Sequence, residues 1–349
     1  MTRGVAGSRP LRVLESINPP DGTTQYVDQI VELAPPWVRF SFLGAKNLAS
    51  LRYDVLHVHW PESLLRGRFH VLRCLAFVAL LEVLRLRRIA VVRTLHNLQP
   101  HEDGSRLEAA VLRWLDRRTT FTVTINPVTP IPAGRGVYIP HGHYRERFTA
   151  LPQQAPVAGR LLYAGTIRPY KGVDVLLDAF RALDDPALTL RLVGQPSREM
   201  RPLVDRMQSD DGRISATLAF VPDALLVAEI TAAQLVCLPY RQLHNSGVLL
   251  AALSLDRPVL VPRTPTTEAM AQEVGPGWIH FFGGVLQAQD LRRVMAKVQT
   301  ESRPERPRLD GRDWRVVGQA YADAFAQAAA LVGRAPVARL APDGRGGER

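Results

Sequence analysis

The sequence predicts an α/β fold built from two doubly wound halves, and three observations carry that expectation. Short apolar runs of strand length alternate with helical stretches along most of the chain, the pattern of parallel sheets covered by helices. Polar clusters rich in Gly and Pro follow the strands, not the helices: 17–22 (INPPDG), 59–62 (HWPE), 96–103 (HNLQPHED), 140–144 (PHGHY), 165–172 (GTIRPYKG), 194–197 (GQPS) and 239–247 (PYRQLHNSG). Open parallel sheets bind ligands beyond the carboxyl ends of their strands, so these clusters are expected to line one cleft between two Rossmann-like domains. Finally, 349 residues suffice for two domains, and a hydrophobic content of 46% supplies their cores.

The first half opens with a strand at 11–16, a turn-rich loop, a helix at 25–34 ended by Pro35 and Pro36, and a strand at 38–43. Further strands are expected at 54–59 (DVLHVH), 89–95, 121–125 and 136–139. Residues 63–88 read as one long helical stretch, an apolar body flanked by Arg66, Arg68, Arg73, Arg85, Arg87 and Arg88. Ser105 caps a helix at 105–118. Residues 149–159 (TALPQQAPVAG) read as the linker, which puts the domains at 1–150 and 151–334, with 335–349 a disordered tail. The second half predicts strands at 160–164, 189–193 and 235–238, helices at 173–183 and 223–232, and a last amphipathic helix at 314–332.

Residues 235–263 organise this half as strand, loop, helix and strand. The helix at 248–255 carries no charge on any side, so it is expected to be buried nearly all round. Asn245 or Ser246 caps it, and its free N–H groups and dipole favour an anion such as a phosphate. An ordinary capped helix is the alternative. Arg168 and Lys171 share the short loop 165–172. Each cation contributes up to about 4 kcal/mol of gross attraction to a diphosphate charge at ~4 Å and an effective dielectric of ~20. A solvated basic turn is the alternative there.

His57 and His59 share one face of a strand end, and Glu62 lies just beyond. Two His at that spacing can ligate zinc, but spacing attaches no third ligand, so no metal is expected, and a structural role for one or both is the alternative. Glu62 follows a proline at a strand end and should point into the cleft. His96, His101, Glu102 and Asp103 occupy the neighbouring loop. These are the general-base candidates, with plain solvation the alternative for Glu102 and Asp103.

The net charge of +11 favours anionic partners, although a high-GC genome also enriches arginine. Cys74 and Cys237 sit in apolar runs and read as buried thiols of a reduced compartment. No signal peptide or spanning helix is expected. The fingerprints of dinucleotide-binding folds, P-loop NTPases and α/β-hydrolases are missing, as is any Asp-x-Asp pair. Few aromatics interleave the arginine clusters, which disfavours a nucleic-acid partner.

Taken together, DVLHVHWPE with LLR following, VVRTLHNLQPHED, HGHYR, IRPYKGV, LPYRQLHNSG, AALSLDRPVL, EVGPGW and GRDW, spread from Tyr53 to Trp314, resemble the two-domain GT-B glycosyltransferases. Within them they resemble the GDP-mannose:glycolipid β-mannosyltransferases of xanthan-type exopolysaccharide assembly. The resemblance implies a GT-B fold and inverting transfer of mannose from GDP-mannose to a polyprenyl-diphosphate-linked oligosaccharide, without a cofactor. It assigns Arg168 and Lys171 to the donor diphosphate, and Asn245, Ser246 and Gly247 to the same phosphates. Tyr240 and His141 join the donor set, and His96 stands where related enzymes touch the donor sugar. Retaining members carry two Glu around the helix after the phosphate loop. Leu243 and Ala251 occupy the matching positions here, so an acceptor-side base is expected: Glu62 first, then Asp103 and His59. A lipid-linked acceptor gives 63–88 a second reading, a basic amphipathic helix on an anionic membrane surface, beside that of a core helix with snorkelling arginines. The expected location is then peripheral, at the cytoplasmic face of the membrane. A UDP-hexose donor is the alternative within the fold.

Overall fold

The computed structural model describes residues 9–20, 25–96, 104–241 and 245–334. The chain divides into two compact units, one comprising the chain up to Gly142 together with the segment from Gly311 onward, the other His143–Asp310.

The first unit runs β1 (Leu11–Glu15), α1 (Gln25–Leu33), β2 (Val38–Phe42), α2 (Ala45–Ser50), β3 (Val55–Val58), α3 (Pro61–Leu65), α4 (His70–Leu86), β4 (Ala90–Leu95), α5 (Arg106–Arg118), β5 (Phe121–Thr124) and β6 (Gly136–Tyr138). Its six strands are all parallel, in the order β2-β1-β3-β4-β5-β6. Alternation along β1 explains the layering. Val13 faces a core with Val27 and Ile30 of α1, whereas Leu14 faces Cys74, Phe77 and Leu81 of α4 and Leu115 of α5.

The second unit runs α6 (Arg145–Thr149), β7 (Arg160–Ala164), α7 (Val173–Arg181), β8 (Thr189–Val193), α8 (Arg201–Asp210), β9 (Ile214–Thr217), α9 (Asp223–Ala232), β10 (Leu235–Cys237), α10 (Gly247–Ser254), β11 (Val259–Pro262), α11 (Pro265–Val274), β12 (Ile279–Phe282) and α12 (Ala288–Thr300). Its parallel sheet has the order β12-β11-β10-β7-β8-β9. Residues 249–254 of α10 are all buried, as its lack of charge requires.

The last helix, α13 (Trp314–Leu331), belongs to the first unit. This corrects the expected second domain of 151–334. Val317, Tyr321, Phe325 and Ala328 complete the core on the α1 face of the first sheet. Gly318 permits the close approach, because a Cβ there would lie 2.7 Å from the Leu33 carbonyl oxygen. The expected linker at 149–159 lies within the second unit. Its irregular backbone is tied to α9 by Gln154 N–H donating to Thr231 Oγ1 (2.9 Å) and Val157 N–H donating to the Ala232 carbonyl (2.8 Å). The expected tail at 335–349 lies outside the described residues.

Residues 63–88 form no single helix. Gly67 and Phe69 both take positive φ (102° and 64°) and separate α3 from α4. On α4 the exposed side carries Val71, Leu72, Leu75 and Leu86, with Phe69 just before it. Among the described residues no helix is long and apolar enough to cross a membrane.

Candidate functional site

Each unit gathers predicted residues at the carboxyl ends of its strands. In the first unit a chain of buried polar groups runs across β1, β3 and β4. The register sets Glu15 beside His57. His57 Nδ1 lies 3.0 Å from Glu15 Oε1, and its Nε2 lies 2.8 Å from Thr94 Oγ1. Thr94 continues to the Tyr321 hydroxyl (3.1 Å) and Tyr321 to the Tyr26 hydroxyl (2.7 Å). In the other direction Glu15 Oε2 lies 3.1 Å from His59 Nε2, and His59 Nδ1 lies 2.9 Å from His96 Nε2.

Glu15, His57 and His59 are all at most 1% exposed. Burial alone would raise the Glu15 carboxyl, but the charge of His57 and hydrogen bonds from both imidazoles hold it at about 2. Burial first, then the neighbouring His57, hold His59 at about 4 against the opposing pull of Glu15. A neutral His59 that donates from Nε2 to the Glu15 carboxylate must accept at Nδ1. His96 therefore donates from Nε2, which leaves its Nδ1 as the ring's acceptor. This tautomer follows from the network. Burial, then the surrounding His59, His141 and His57, push His96 well below 6.5. Trp60 stacks on the His96 ring at 4.1 Å, and Tyr26 meets it edge-on at 5.2 Å.

His141 joins the same aromatic cluster, 4.7 Å from Tyr26 and 5.6 Å from Trp314. Its Nδ1–H donates to the Gly142 carbonyl (2.8 Å), and buried Arg312 donates to the His141 carbonyl (2.9 Å). Burial is the main reason it is held at about 4, with Arg312 adding to the effect. The GRDW motif thus supports His141 from below.

In the second unit the turn after β7 meets the start of α10. Gly172, at φ 67°, approaches Pro239 so closely that a Cβ would lie 2.1 Å from its carbonyl oxygen. The turn is thereby pinned against the end of β10. Lys171 Nζ lies 3.5 Å from the Tyr240 hydroxyl and 5.0 Å from its ring centroid. Burial lowers the Lys171 pKa and raises Tyr240 to about 12. The neighbouring Ser246 side chain opposes that rise at Tyr240. Ser246 caps α10 by accepting from Leu249 N–H (3.2 Å). The N-terminus of α10 and one ammonium group therefore bracket the same small volume, the arrangement that holds phosphate oxygens.

Lys171, Tyr240, Ser246 and Gly247 are brought together, with Asn245 directly before the cap. Arg168 is exposed at the start of the same turn. His141, expected in the donor-binding set, lies in the first unit beside Tyr26 and Trp314. His59, a candidate base, is buried with both ring nitrogens engaged, one of them by His96. Glu62 is half-buried in the first turn of α3, two residues after Trp60. Asp103, with His101 and Glu102, lies outside the described residues. Glu15 adds the third member that spacing did not supply to the His57–His59 pair, and their ligand atoms lie within 4.8 Å of one another. Every ring nitrogen of that pair already has a protein partner, so the group is a hydrogen-bonded cluster. Glu15, Tyr26, Thr94 and Tyr321 escaped sequence reasoning. Only Glu15 left a signal, an acid closing the apolar strand LRVLE.

Residues 158–299 match the family described as Glycosyl transferases group 1. The chain is 44% identical over 332 residues, 94% of its own length and 95% of the relative's, to a GDP-mannose:glycolipid 4-beta-D-mannosyltransferase of Xanthomonas campestris pv. campestris. Among solved structures, Anabaena Alr3699/HepE in complex with UDP is similar with a TM-score of 0.60 at 14% identity, covering 93% of this chain and 97% of that one. WaaG, a glycosyltransferase involved in lipopolysaccharide biosynthesis, gives 0.51 at 16% identity, over 92% and 98%. These two likenesses speak to the fold alone.

Proposed function

The chain belongs to the GDP-mannose:glycolipid 4-β-mannosyltransferases of the GT-B fold, and we propose that it transfers mannose from GDP-mannose to a glycolipid, with inversion at the sugar carbon. The observation that carries this reading is the convergence of Lys171, Tyr240 and Ser246 at the N-terminus of α10. Lys171 and the helix end bind the donor diphosphate and stabilise the charge that grows on it as the glycosidic bond breaks. Arg168 on the same turn and Asn245 beside the cap add to that field. In the first unit His96 is the acceptor-side base. Its Nδ1 takes the proton of the attacking hydroxyl, the new bond forms at the sugar carbon opposite the diphosphate, and GDP leaves. The relay through His59 to Glu15 fixes the tautomer that makes Nδ1 basic. Glu62 lines the acceptor side two residues past Trp60, and His141 packs beside the base.

The acceptor is a polyprenyl-diphosphate-linked oligosaccharide of exopolysaccharide assembly, met at the membrane surface. The exposed apolar side of α4, flanked by Arg68, Arg73, Arg85, Arg87 and Arg88, rests on anionic lipid.

Purified protein incubated with labelled GDP-mannose or UDP-glucose and a bacterial lipid extract tests the reading. Label from GDP-mannose should enter the lipid fraction. Transfer from UDP-glucose alone would overturn the donor assignment. His96→Asn should abolish transfer with GDP affinity retained. If Glu62→Gln abolishes it while His96→Asn does not, the base is Glu62.

A further inference from the structure

Helix α4 presents three faces. Cys74, Phe77, Leu81 and Leu84 pack into the core. On the opposite side Leu72 and Leu75 are 65% and 60% exposed, and Leu86 is exposed with them. At about 100° per residue, Arg73, Ala76 and Leu80 fall between these two faces. There the helix borders a pocket of about 340 Å³. Leu43, Leu48, Leu56, Leu64, Phe77 and Leu80 supply its apolar walls. Ser16 closes its buried end, and exposed Arg73 lies along its rim. An apolar cavity of about 150 Å³ accepts one benzene, so this pocket accommodates roughly two groups of isoprene size.

We propose that this pocket seats the isoprenoid segment of the lipid-linked acceptor nearest its diphosphate, with Arg73 facing that diphosphate. Three features of the pocket select such an occupant. Its walls offer dispersion and burial but almost no hydrogen bonding, which suits a branched hydrocarbon and excludes a peptide backbone. The cation at the rim matches a chain that is apolar along its length and anionic at one end, and the Arg73 guanidinium is steadied by donating to the Arg66 carbonyl (3.1 Å). The pocket also adjoins the site. Ser16 follows Glu15, and Ser16 Oγ accepts from the backbone N–H of His59 (3.0 Å). A tail held here keeps its glycan at the sheet edge that bears His96. Continuity with the exposed Leu72–Leu75 side lets the rest of the tail remain in the bilayer.

This proposal rests on the lipid-linked acceptor read above, but its test needs no turnover. Equilibrium dialysis of the purified chain with radiolabelled farnesyl diphosphate reads occupancy directly. Two fills from opposite walls, Ala76→Trp and Ser63→Trp, should each weaken binding at least tenfold. Leu72→Ser, on the exposed side, should leave it within twofold, and inorganic diphosphate should compete poorly. Thermal melting by circular dichroism confirms that each variant is folded, and Ala76 is exposed enough to accept the larger ring. Equal weakening by Leu72→Ser and Ala76→Trp would overturn the pocket in favour of surface adsorption. Binding that neither fill reduces would also overturn it. In the transfer assay, Ala76→Trp should raise KM for the long-chain acceptor and spare an acceptor with a methyl aglycone. A protein that binds the probe in this pocket yet mannosylates no lipid would refute the proposed function and leave the pocket standing.

Discussion

Replacing Glu15 by Gln probes the relay without changing its volume. The amide keeps one acceptor oxygen and converts the other into a donor. If the new NH2 turns towards His57, then His59 can keep its Nε2 proton, because the hydroxyls of Thr94, Tyr321 and Tyr26 can each reverse. The tautomer of His96 is then preserved, and what remains is the loss of one negative charge. The path from Glu15 to His96 crosses a 3.1 Å bond, the His59 ring and a 2.9 Å bond. Over a span of about 8 Å at an effective dielectric of ~20, that charge stabilises a protonated His96 by about 2 kcal/mol. This corresponds to about thirtyfold in proton affinity. The assay is kcat against pH for the wild type and Glu15→Gln. The plateau should fall by roughly ten- to thirtyfold, in line with the lost basicity. The acid limb should move further below its wild-type position, and GDP affinity should not change. A merely structural Glu15 would lower the plateau without moving the limb. An unmoved limb with a plateau within twofold would refute the relay.

Lys171→Met removes a charge-assisted contact of about 1.5–3 kcal/mol, so GDP affinity and kcat/KM should both fall by roughly 10- to 150-fold. Calorimetric GDP affinity within twofold of wild type would contradict the phosphate assignment. Stability should depend on pH in a defined window. His59 and His141 are held at about 4 in the fold, so between that value and the ordinary 6.5 the unfolded chain binds more protons. Stability is therefore unaffected above the window and falls as pH is lowered through it, by up to about 1.4 kcal/mol per pH unit for each group. Glu15, held at about 2, extends the loss below its ordinary 4.5. Urea titrations at pH 7, 6 and 5 measure the slope, and His141→Asn should flatten it. The double change Leu72→Ser and Leu75→Ser should weaken co-sedimentation with anionic vesicles about tenfold or more, since each buried Leu contributes about 1.5–3 kcal/mol. Unchanged sedimentation would remove α4 from the membrane.

Much of the fold, and the turn and helix cap that meet in the second unit, was legible in the sequence because these features are local. The strand at 160–164 and the helix at 223–232 fall where apolar periodicity put them. The charge-free α10 could only be buried, and its cap stands beside it in the chain. Gly172 and Lys171 are neighbours, so the turn and its cation came together. What periodicity missed was chain return. An amphipathic helix does not state which sheet it covers, and α13 went to the first because its small residues and Gly318 fit closely against α1. The break between α3 and α4 was also hidden, since it depends on a left-handed Phe69 that no propensity favours.

The relay shows why the polar cluster of the first unit resisted reading. Its members are Glu15, Tyr26, His57, His59, Thr94, His96 and Tyr321, contributed by three strands, the residues just past two of them, and two helices. Each alone has an ordinary explanation: a strand-end acid, a core tyrosine, a solvated loop histidine. Parallel register makes them a unit by setting Glu15 beside His57, and the i, i+2 geometry of a strand then returns His59 to the same carboxylate. A fully buried carboxylate cannot persist without partners, and these two imidazoles supply both. The acid therefore fixes the protons on the imidazoles, and the imidazoles keep the acid ionised. Neither half is stable in that place without the other, and the chain of mutual constraint runs on to His96. The chemistry proposed for the first unit follows from that coupling, which no single stretch of the chain encodes.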